Sequence, residues 1–359
     1  MRPPGPPAAA GRRVLVEQVN TTIGGAEALV QLLLAFQDAG ADAYYFGDVS
    51  EAYLGPRGYP VRLGRRLEPA ALAAGDVLVV PEARRCRFLG TAAGVRNVIW
   101  LLGKLNLGGD ECERLAHNHF LQSLINLPES SRVEPYITPW LVEEARSRSG
   151  LLADGTFADL ARLQGLKSDI LLIDGDVPEP ILEVLTGAGS LRAVQVRTVG
   201  GLISGAEARE GTQELLELHA ATASSVEQQG RRFQALLHSG RRPVVAKDLK
   251  KEELMDLMLQ AKVVLDWCMR GTERTPIEAS LYGAVVLTND CDTGGDAVDF
   301  PLDGVHRVRN LDTAYFQRQM ADWATNVMMP GQVALRRKYA SEVTREGMAA
   351  AAKRWLETL

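Results

Sequence analysis

Gly271 to Gly283 (GTERTPIEASLYG) is the stretch whose residue types and spacing best suit a phosphorylated ligand. It follows a predicted strand and starts a predicted helix, with Thr275 as the expected N-cap, Pro276 as the first helical residue and Glu278 as the capping-box acid. The free N–H groups and the partial positive charge at a helix N-terminus suit a diphosphate. Arg274 adds a full positive charge, and arginine binds phosphate well. The stretch therefore predicts a diphosphate site.

The same residues also have a purely structural interpretation. In that interpretation Glu278 only caps its helix, and Arg274 only pairs with the neighbouring Glu273. Spacing alone does not distinguish a diphosphate site from a purely structural helix start. The elements around the stretch and its resemblance to known families provide further information.

The elements that must position this stretch alternate between apolar strands and helices along the chain. Strands are expected at Arg13–Val19, Ala43–Phe46, Val77–Pro81, Val98–Leu102, Asp169–Asp174, Ala193–Val196, Val244–Ala246, Val263–Trp267 and Ala284–Thr288. Helices are expected at Ala26–Ala39, Glu252–Gln260 and Pro276–Tyr282, with one or two more within Gln332–Leu359. This order predicts an α/β fold of two Rossmann-like, doubly wound domains that face a cleft. In such sheets a ligand binds at the carboxyl ends of the strands.

Charge and composition limit the classes of function. The formal net charge is −5 and the isoelectric point is near 5.7, which argues against a general nucleic-acid partner. The sequence holds no run of about 18 apolar residues, so no integral membrane segment is expected. The four cysteines form no CxxC pair and no zinc-binding spacing with histidine. Reduced thiols and a cytoplasmic location are the expectation.

The segment Asp248 to Asp290 resembles the donor-binding half of GT-B-fold glycosyltransferases of the group 1, or family 4-like, type. That half has a helix with an EEL-type start, a strand, a loop, and then Pro-x-x-Glu-Ala followed by a small residue and Gly. Here Pro276, Glu278 and Gly283 stand in that order, with one residue fewer between the proline and the glutamate. The resemblance implies that Glu278 holds the ribose hydroxyls of a nucleotide-sugar. It also implies that Arg274, Thr275 and Pro276 lie at the donor.

One position departs from the family pattern. The family's first glutamate, which contacts the donor sugar, stands eight residues before the second, and that position is Arg270 here. Glu273 lies five residues before Glu278 and is the candidate to replace it as a catalytic residue.

The loop Asn20 to Glu27 (NTTIGGAE) is the second candidate site. Paired glycines let a backbone approach a ligand closely, and a helix starts directly after them. The family carries a similar Gly-Gly-Ala-Glu, which implies that Gly24 and Gly25 approach the donor diphosphate. A plain tight turn explains the glycines equally well. A dinucleotide site with Asp48 on the ribose is disfavoured because the loop is not GxGxxG.

Three further groups have weaker signals. Lys247 directly follows a predicted strand and is a candidate to neutralise the diphosphate. His119, in the cluster His117-Asn118-His119, is a candidate acid or base, in a stretch whose spacing predicts a helix. Asp174-Gly175-Asp176 is an Asp-x-Asp that could hold a metal, but a turn is the preferred interpretation and no metal site is expected.

Composition and the order of the predicted elements set the expected domain boundaries, and the resemblance implies the role of each domain. Residues 1–12 are expected to be a disordered tail, 13–145 an acceptor-side Rossmann-like domain, 146–330 the nucleotide-sugar domain, and 331–359 a C-terminal helix that packs back on the first domain.

The expected function is metal-independent transfer of a sugar from a nucleotide-sugar donor to an acceptor. The donor, UDP- or GDP-linked, is a co-substrate, and no cofactor is expected. The acceptor is a glycan, a lipid or a protein. Two alternatives stay open, namely an epimerase or hydrolase of sugar nucleotides with the same fold and a non-catalytic nucleotide-binding homologue.

Overall fold

The computed structural model describes residues 12–19, 24–54, 58–59, 63–82, 93–103, 112–173, 192–197, 244–247, 251–267, 269, 271–309 and 313–359. The chain divides into two compact units. The first unit comprises Met1–Leu141, Arg270–Thr272 and Glu342–Leu359, and the second comprises Val142–Met269 and Glu273–Ser341.

The first unit contains a six-stranded sheet in which each pair of neighbouring strands is parallel. Its strands are β1 (Arg13–Gln18), β2 (Asp42–Gly47), β3 (Arg65–Arg66), β4 (Val77–Pro81), β5 (Arg96–Leu101) and β6 (Glu113–Ala116). The spatial order is β3-β2-β1-β4-β5-β6, which is the Rossmann order. The order reverses between β1 and β4, and this reversal is where such sheets bind their ligands.

The second unit contains a similar parallel sheet of five strands. They are β7 (Ser168–Ile173), β8 (Arg192–Arg197), β9 (Val244–Lys247), β10 (Ala261–Leu265) and β11 (Val285–Leu287). All their pairings are parallel and the order is β11-β10-β7-β8-β9, so the reversal lies between β7 and β10. The predicted α/β class with two Rossmann-like sheets is confirmed.

Helices connect or flank the strands of each unit. In the described part of the chain they are α1 (Gly24–Asp38), α2 (His119–Leu124), α3 (Pro139–Ser149), α4 (Leu160–Leu166), α5 (Lys251–Gln260), α6 (Arg274–Leu281), α7 (Asp292–Gly295), α8 (Thr313–Ala321), α9 (Trp323–Asn326), α10 (Pro330–Arg337) and α11 (Arg345–Thr358). None of these helices combines the length and the apolar character needed to cross a membrane.

The C-terminal helix α11 packs into the core of the first unit. Its Trp355 ring lies 5.5 Å from the ring of Phe36 on α1, measured between centroids, and both side chains are buried. Leu29, Leu32 and Phe36 recur at helical spacing on α1, so one face of this helix is buried in the same core as β1.

Two expectations about local structure are wrong. Glu113–Ala116 is a strand rather than part of a helix, because it pairs along β5 at the edge of the sheet, and this pairing overrides helical spacing. Cys112 and Cys291, the two cysteines in the described part, are disulfide-bonded rather than reduced. Spacing cannot show which thiols a fold brings together, and the cytoplasmic expectation loses its support from reduced thiols.

Lys167, just after α4, fixes the far ends of the two helices that flank β10. Its Nζ donates hydrogen bonds to the backbone carbonyls of Met258 at 3.3 Å, Ala261 at 2.9 Å and Tyr282 at 2.8 Å. The last carbonyls of a helix have no partner within the helix, and a cation there also offsets the helix dipole. One ammonium therefore ties the end of α5, the start of β10 and the end of α6 together.

Replacing Lys167 with Met is expected to lower the free energy of unfolding by about 2 to 4 kcal/mol, because three half-buried carbonyls lose their donor. Urea denaturation measures the change. Lys262→Met is the matched control, since within the described part of the chain Lys262 pairs with the exposed Asp169, and it should cost less than about 1 kcal/mol. Equal losses in the two variants would contradict this role for Lys167.

Candidate functional site

The second unit presents the starts of α5 and α6 at the carboxyl edge of its sheet. Both helices run antiparallel to the strands, so their N-termini lie at the edge where β10 ends at Leu265. β10 is one of the two strands at the reversal of strand order. The part of the segment Gly271 to Gly283 that belongs to the second unit, from Glu273 onward, therefore enters α6 at the binding edge of this sheet.

Three charged side chains meet at these helix starts. The Glu278 carboxylate accepts a hydrogen bond from Lys251 Nζ at 2.6 Å through Oε2. Its Oε1 lies 3.0 Å from Arg274 Nε and 2.9 Å from Arg274 Nη2. Glu278 is only 3% exposed, while Lys251 and Arg274 are the first residues of their helices. This Lys251–Glu278–Arg274 cluster carries one more positive than negative charge.

The two cations determine the ionisation of the buried acid. Burial by itself raises the pKa of Glu278, but the charges and hydrogen bonds of Lys251 and Arg274 outweigh burial, so the pKa of Glu278 lies below its usual value. Glu278 is thus an ionised carboxylate at neutral pH. An ionised, positioned carboxylate accepts hydrogen bonds from hydroxyl groups, and the surplus cation attracts an anion.

The start of α6 differs from the prediction. The helix begins at Arg274 with Glu273 as its N-cap, so Thr275 is not the N-cap and Pro276 is the third helical residue. Proline is tolerated throughout the first turn, where its missing N–H has no partner in the helix. Glu278 is also not a capping-box acid, because it lies five residues beyond the N-cap rather than three.

The structure gives Glu278 other contacts than the purely structural interpretation assigned to it. The structural interpretation had Glu278 capping its helix, whereas its carboxylate binds two cations instead. Arg274 binds Glu278, four residues along the helix, in the geometry that neighbouring helical turns favour.

In the first unit, a second cluster forms around the ends of β5 and β6. His117 follows β6 and is buried, and its Nδ1 lies 2.8 Å from the carbonyl oxygen of Leu101. A carbonyl only accepts, so Nδ1 carries the proton, and Nε2 accepts the backbone N–H of Thr272 at 2.9 Å. Asn118 Nδ2 donates to the Thr272 hydroxyl at 2.9 Å. Gly271 and Thr272 are therefore held at the carboxyl edge of the first sheet.

The predicted glycine loop also lies next to the end of β5. Gly25, in the first turn of α1, would carry a Cβ 3.4 Å from Leu102 Cδ1. Gly271 packs against the carbonyl oxygen of the same residue, Leu102, within the first unit. Two stretches chosen from the sequence as candidate sites, more than 200 residues apart, thus converge on one residue at the end of β5.

Glu82, directly after β4, is a buried acid at this edge. Its Oε2 accepts the backbone N–H of Leu102 at 2.8 Å. Burial raises the pKa of Glu82 to about 7, although hydrogen bonds from backbone N–H groups oppose the shift. A carboxyl group that titrates near neutral pH is suited to proton transfer.

The remaining predicted residues are distributed as follows. His119 is the first residue of α2, and its Nε2 lies 3.4 Å from Ser123 Oγ of the same helix. Gly24 begins α1, and Lys247 ends β9, with its side chain outside the described part. The Asp174–Asp176 motif and Arg270 also lie outside the described residues.

Sequence reasoning did not single out Lys251 or Glu82 as site residues. Glu82 follows the apolar run VLVVP, and a polar residue directly after a buried strand was an available signal. Lys251 resembled an ordinary solvated residue at a helix start, and nothing local pairs it with Glu278, 27 residues away.

No protein-family model matches the sequence, and no curated protein matches it. Solved structures do resemble it. AviGT4, a glycosyltransferase involved in avilamycin A biosynthesis, aligns over 97% of this chain and 99% of its own, with a TM-score of 0.53 and 14% identity. An α-glucosyltransferase in complex with UDP and a DNA containing an HMU base covers 92% of this chain and 95% of its own, with a TM-score of 0.47 and 11% identity.

The T4 phage BGT in complex with its UDP-glucose substrate covers 97% of this chain and 98% of its own, with a TM-score of 0.44 and 10% identity. The likeness to AviGT4 extends over nearly the whole of both chains and includes both Rossmann-like sheets. The chain therefore has the GT-B fold that the sequence resemblance implied.

Gly271→Ala is expected to lower the free energy of unfolding by about 1 to 3 kcal/mol, because the new Cβ would lie 2.1 Å from the Leu102 carbonyl oxygen and 3.0 Å from the His117 ring. Urea denaturation measures the loss, and amide exchange at Thr272 should rise as its bond to His117 weakens. Gly165→Ala is the control, since its Cβ would meet no atom within 4 Å. A Gly271→Ala protein as stable as wild type would contradict the close packing.

Proposed function

We propose that this protein is a glycosyltransferase that binds a nucleotide-sugar donor at the Lys251–Glu278–Arg274 cluster. The observation that carries the proposal is the buried, ionised Glu278 between two cations at the binding edge of a Rossmann-like sheet. A carboxylate suits the hydroxyl pair of a ribose, and the surplus positive charge suits a diphosphate. Both chemical groups occur together in a nucleotide-sugar.

The fold favours glycosyl transfer over other functions that a buried carboxylate with two cations could have. AviGT4, whose fold the chain shares over nearly its full length, is a glycosyltransferase. Because one fold hosts different reactions, the support from AviGT4 depends on the charge cluster being present at the expected edge.

In this proposal Glu278 accepts hydrogen bonds from the ribose hydroxyls. Arg274 and the free N–H groups of the first turn of α6 bind the diphosphate, with Thr275 donating its backbone N–H and Pro276, which has none, lying in the same turn. Lys247 adds positive charge from the end of β9, and Gly24 and Gly25 allow close approach of the backbone.

The reaction exchanges one bond at the anomeric carbon for another. The bond from that carbon to the diphosphate oxygen breaks, a bond to an acceptor oxygen or nitrogen forms, and the acceptor loses a proton. Positive charge and the dipole of α6 stabilise the departing diphosphate, so the proposed reaction needs no metal. Glu273 is the proposed contact to the donor sugar, and His119 the proposed acid or base.

Nucleotide binding is expected to depend on Glu278. UDP or GDP, screened with ADP as the comparison nucleotide, should raise the melting temperature, and calorimetry should give the dissociation constant. Glu278→Gln is expected to weaken binding by about tenfold or more, because an amide accepts hydrogen bonds less strongly than a carboxylate.

Glu143→Gln is the matched control, since Glu143 also pairs with an arginine on a helix but is exposed, and it should bind as wild type does. If none of the nucleotides or their sugars stabilised the wild-type protein, the donor site would be disproved. Unchanged affinity in Glu278→Gln would remove the ribose role alone.

Turnover distinguishes transfer from the alternatives. With radiolabelled UDP-glucose or GDP-mannose and a panel of glycan, lipid and protein acceptors, we expect labelled product only when an acceptor is present. EDTA should leave the rate unchanged, because helix and side-chain charges stabilise the leaving group. Product formation without acceptor would indicate an epimerase or hydrolase, and loss of activity in EDTA would show that a metal takes part.

A further inference from the structure

A pocket of about 380 Å³ lies beside β6, the last strand in the order of the first sheet. Arg96 and Glu113, which begin β5 and β6, both line it. The pocket is therefore at the amino edge of the sheet, opposite to the edge where Glu82 and His117 follow their strands. It is separate from the residues already described at that carboxyl edge, and its volume suits a small-molecule ligand.

The pocket has an apolar wall on each face of the sheet. Ile125 and Leu127 lie on one face, where both are partly buried against one core of the unit. The indole of Trp355, on α11, lies on the other face in the second core. A ligand in the pocket would bury apolar surface against both walls, which favours a molecule with a compact apolar body.

Two arginines line the pocket, and they differ in their partners. Arg96 Nε donates a hydrogen bond to Glu113 Oε1 at 2.7 Å, and Arg96 Nη1 donates to the main-chain oxygen of Leu359. The charge of Arg96 is therefore compensated by Glu113. Within the described part of the chain, Arg114 Nε is buried without a hydrogen-bond partner, and Arg114 forms no ion pair.

The unpartnered nitrogen of Arg114 indicates what kind of ligand fits. A buried donor that lacks an acceptor is costly, and such groups are rare in folded proteins. A carboxylate in the pocket would accept the hydrogen bond of Nε and would also compensate the guanidinium charge. A doubly charged phosphate is a poorer match, because Glu113 lines the same pocket and repels a dianion more strongly than a monoanion.

We propose that this pocket binds a small organic monoanion, namely a carboxylate with an aromatic or branched aliphatic body, through Arg114. The apolar body of the ligand lies between the side chains of Ile125 and Leu127 and the indole of Trp355. Arg96 keeps its bond to Glu113, so that acid does not compete for Arg114. The inference does not depend on the proposed function, because the whole pocket belongs to the first unit.

Phenylacetate is the probe, titrated against the full-length protein and followed by saturation-transfer NMR. Phenylacetamide keeps the shape of the probe without its charge, and inorganic phosphate has charge without an apolar body. We expect both to bind at least about tenfold more weakly than phenylacetate, because each lacks one of the two features that the pocket recognises.

Arg114→Gln is expected to weaken phenylacetate binding by about tenfold or more, because it removes the charge and the bidentate donor pair. Arg65→Gln is the matched control and should bind as wild type does, since Arg65 is an exposed arginine on β3, at the opposite edge of the same sheet, and pairs with Asp42. Leu127→Trp keeps every charge but fills the pocket from its wall, so it should also weaken binding by about tenfold or more.

Stability distinguishes a ligand site from a structural arginine. Because Arg114 Nε is buried without a partner in the described part of the chain, Arg114→Met should unfold at the urea midpoint of wild type or above it, while phenylacetate binding is lost. A lower midpoint would show a structural role and overturn the assignment. Undetectable binding of phenylacetate to wild type, equal binding in Arg114→Gln, or equally tight binding of phenylacetamide or phosphate would overturn it as well.

Discussion

The arrangement of the second unit depends on the burial of one carboxylate between two cations. A buried ionised acid is tolerated only when its charge is compensated and its oxygens accept hydrogen bonds. For Glu278 that condition brings the first residue of α5 and the first residue of α6 within bonding distance of the same carboxylate. The charges proposed to bind a ligand and the packing of the two helices are therefore the same set of contacts.

Parallel topology puts this pair of helices where a ligand can use it. Each helix that returns to a parallel sheet starts at the carboxyl edge, so its free N–H groups and partial positive charge gather there. Lys167 secures the opposite ends of α5 and α6 through three backbone carbonyls, which leaves the starts of the helices as the ends that carry chemistry. The contacts of Lys167 thus lie at one end of this pair of helices and the proposed ligand site at the other.

The first unit applies a different constraint at its own carboxyl edge. His117 is held in one tautomer because its two ring nitrogens meet a carbonyl on one side and an N–H on the other. Gly271 is required there because a Cβ atom would overlap the Leu102 carbonyl oxygen. The reason is lack of space for a side chain, not a backbone φ that only glycine adopts easily. Glu82, whose carboxyl is buried beside the same residue, titrates near neutral pH for the related reason that its charge is poorly hydrated.

The sequence by itself determined the fold class, because apolar runs such as VLVVP and DILLID are long enough to be strands and too short to be helices. It also located the stretch from Gly271 to Gly283, since a strand, a loop with cations and a helix start must lie at the binding edge of a parallel sheet. It placed the first residue of α6 at Pro276 instead of Arg274, because Thr275 and Pro276 are both residue types that favour the first turn of a helix.

Only the tertiary structure decided which polar and charged groups meet. Lys251 and Glu278 are 27 residues apart, and residues 117 and 272 are 155 apart, and no local periodicity relates either pair. The choice between Glu278 as a helix cap and Glu278 as a buried ion-pair partner depends on whether a second helix brings a cation to it. Local sequence sets the shape of each element, whereas the burial and the partners of an ionisable group arise only when elements distant in the chain pack together.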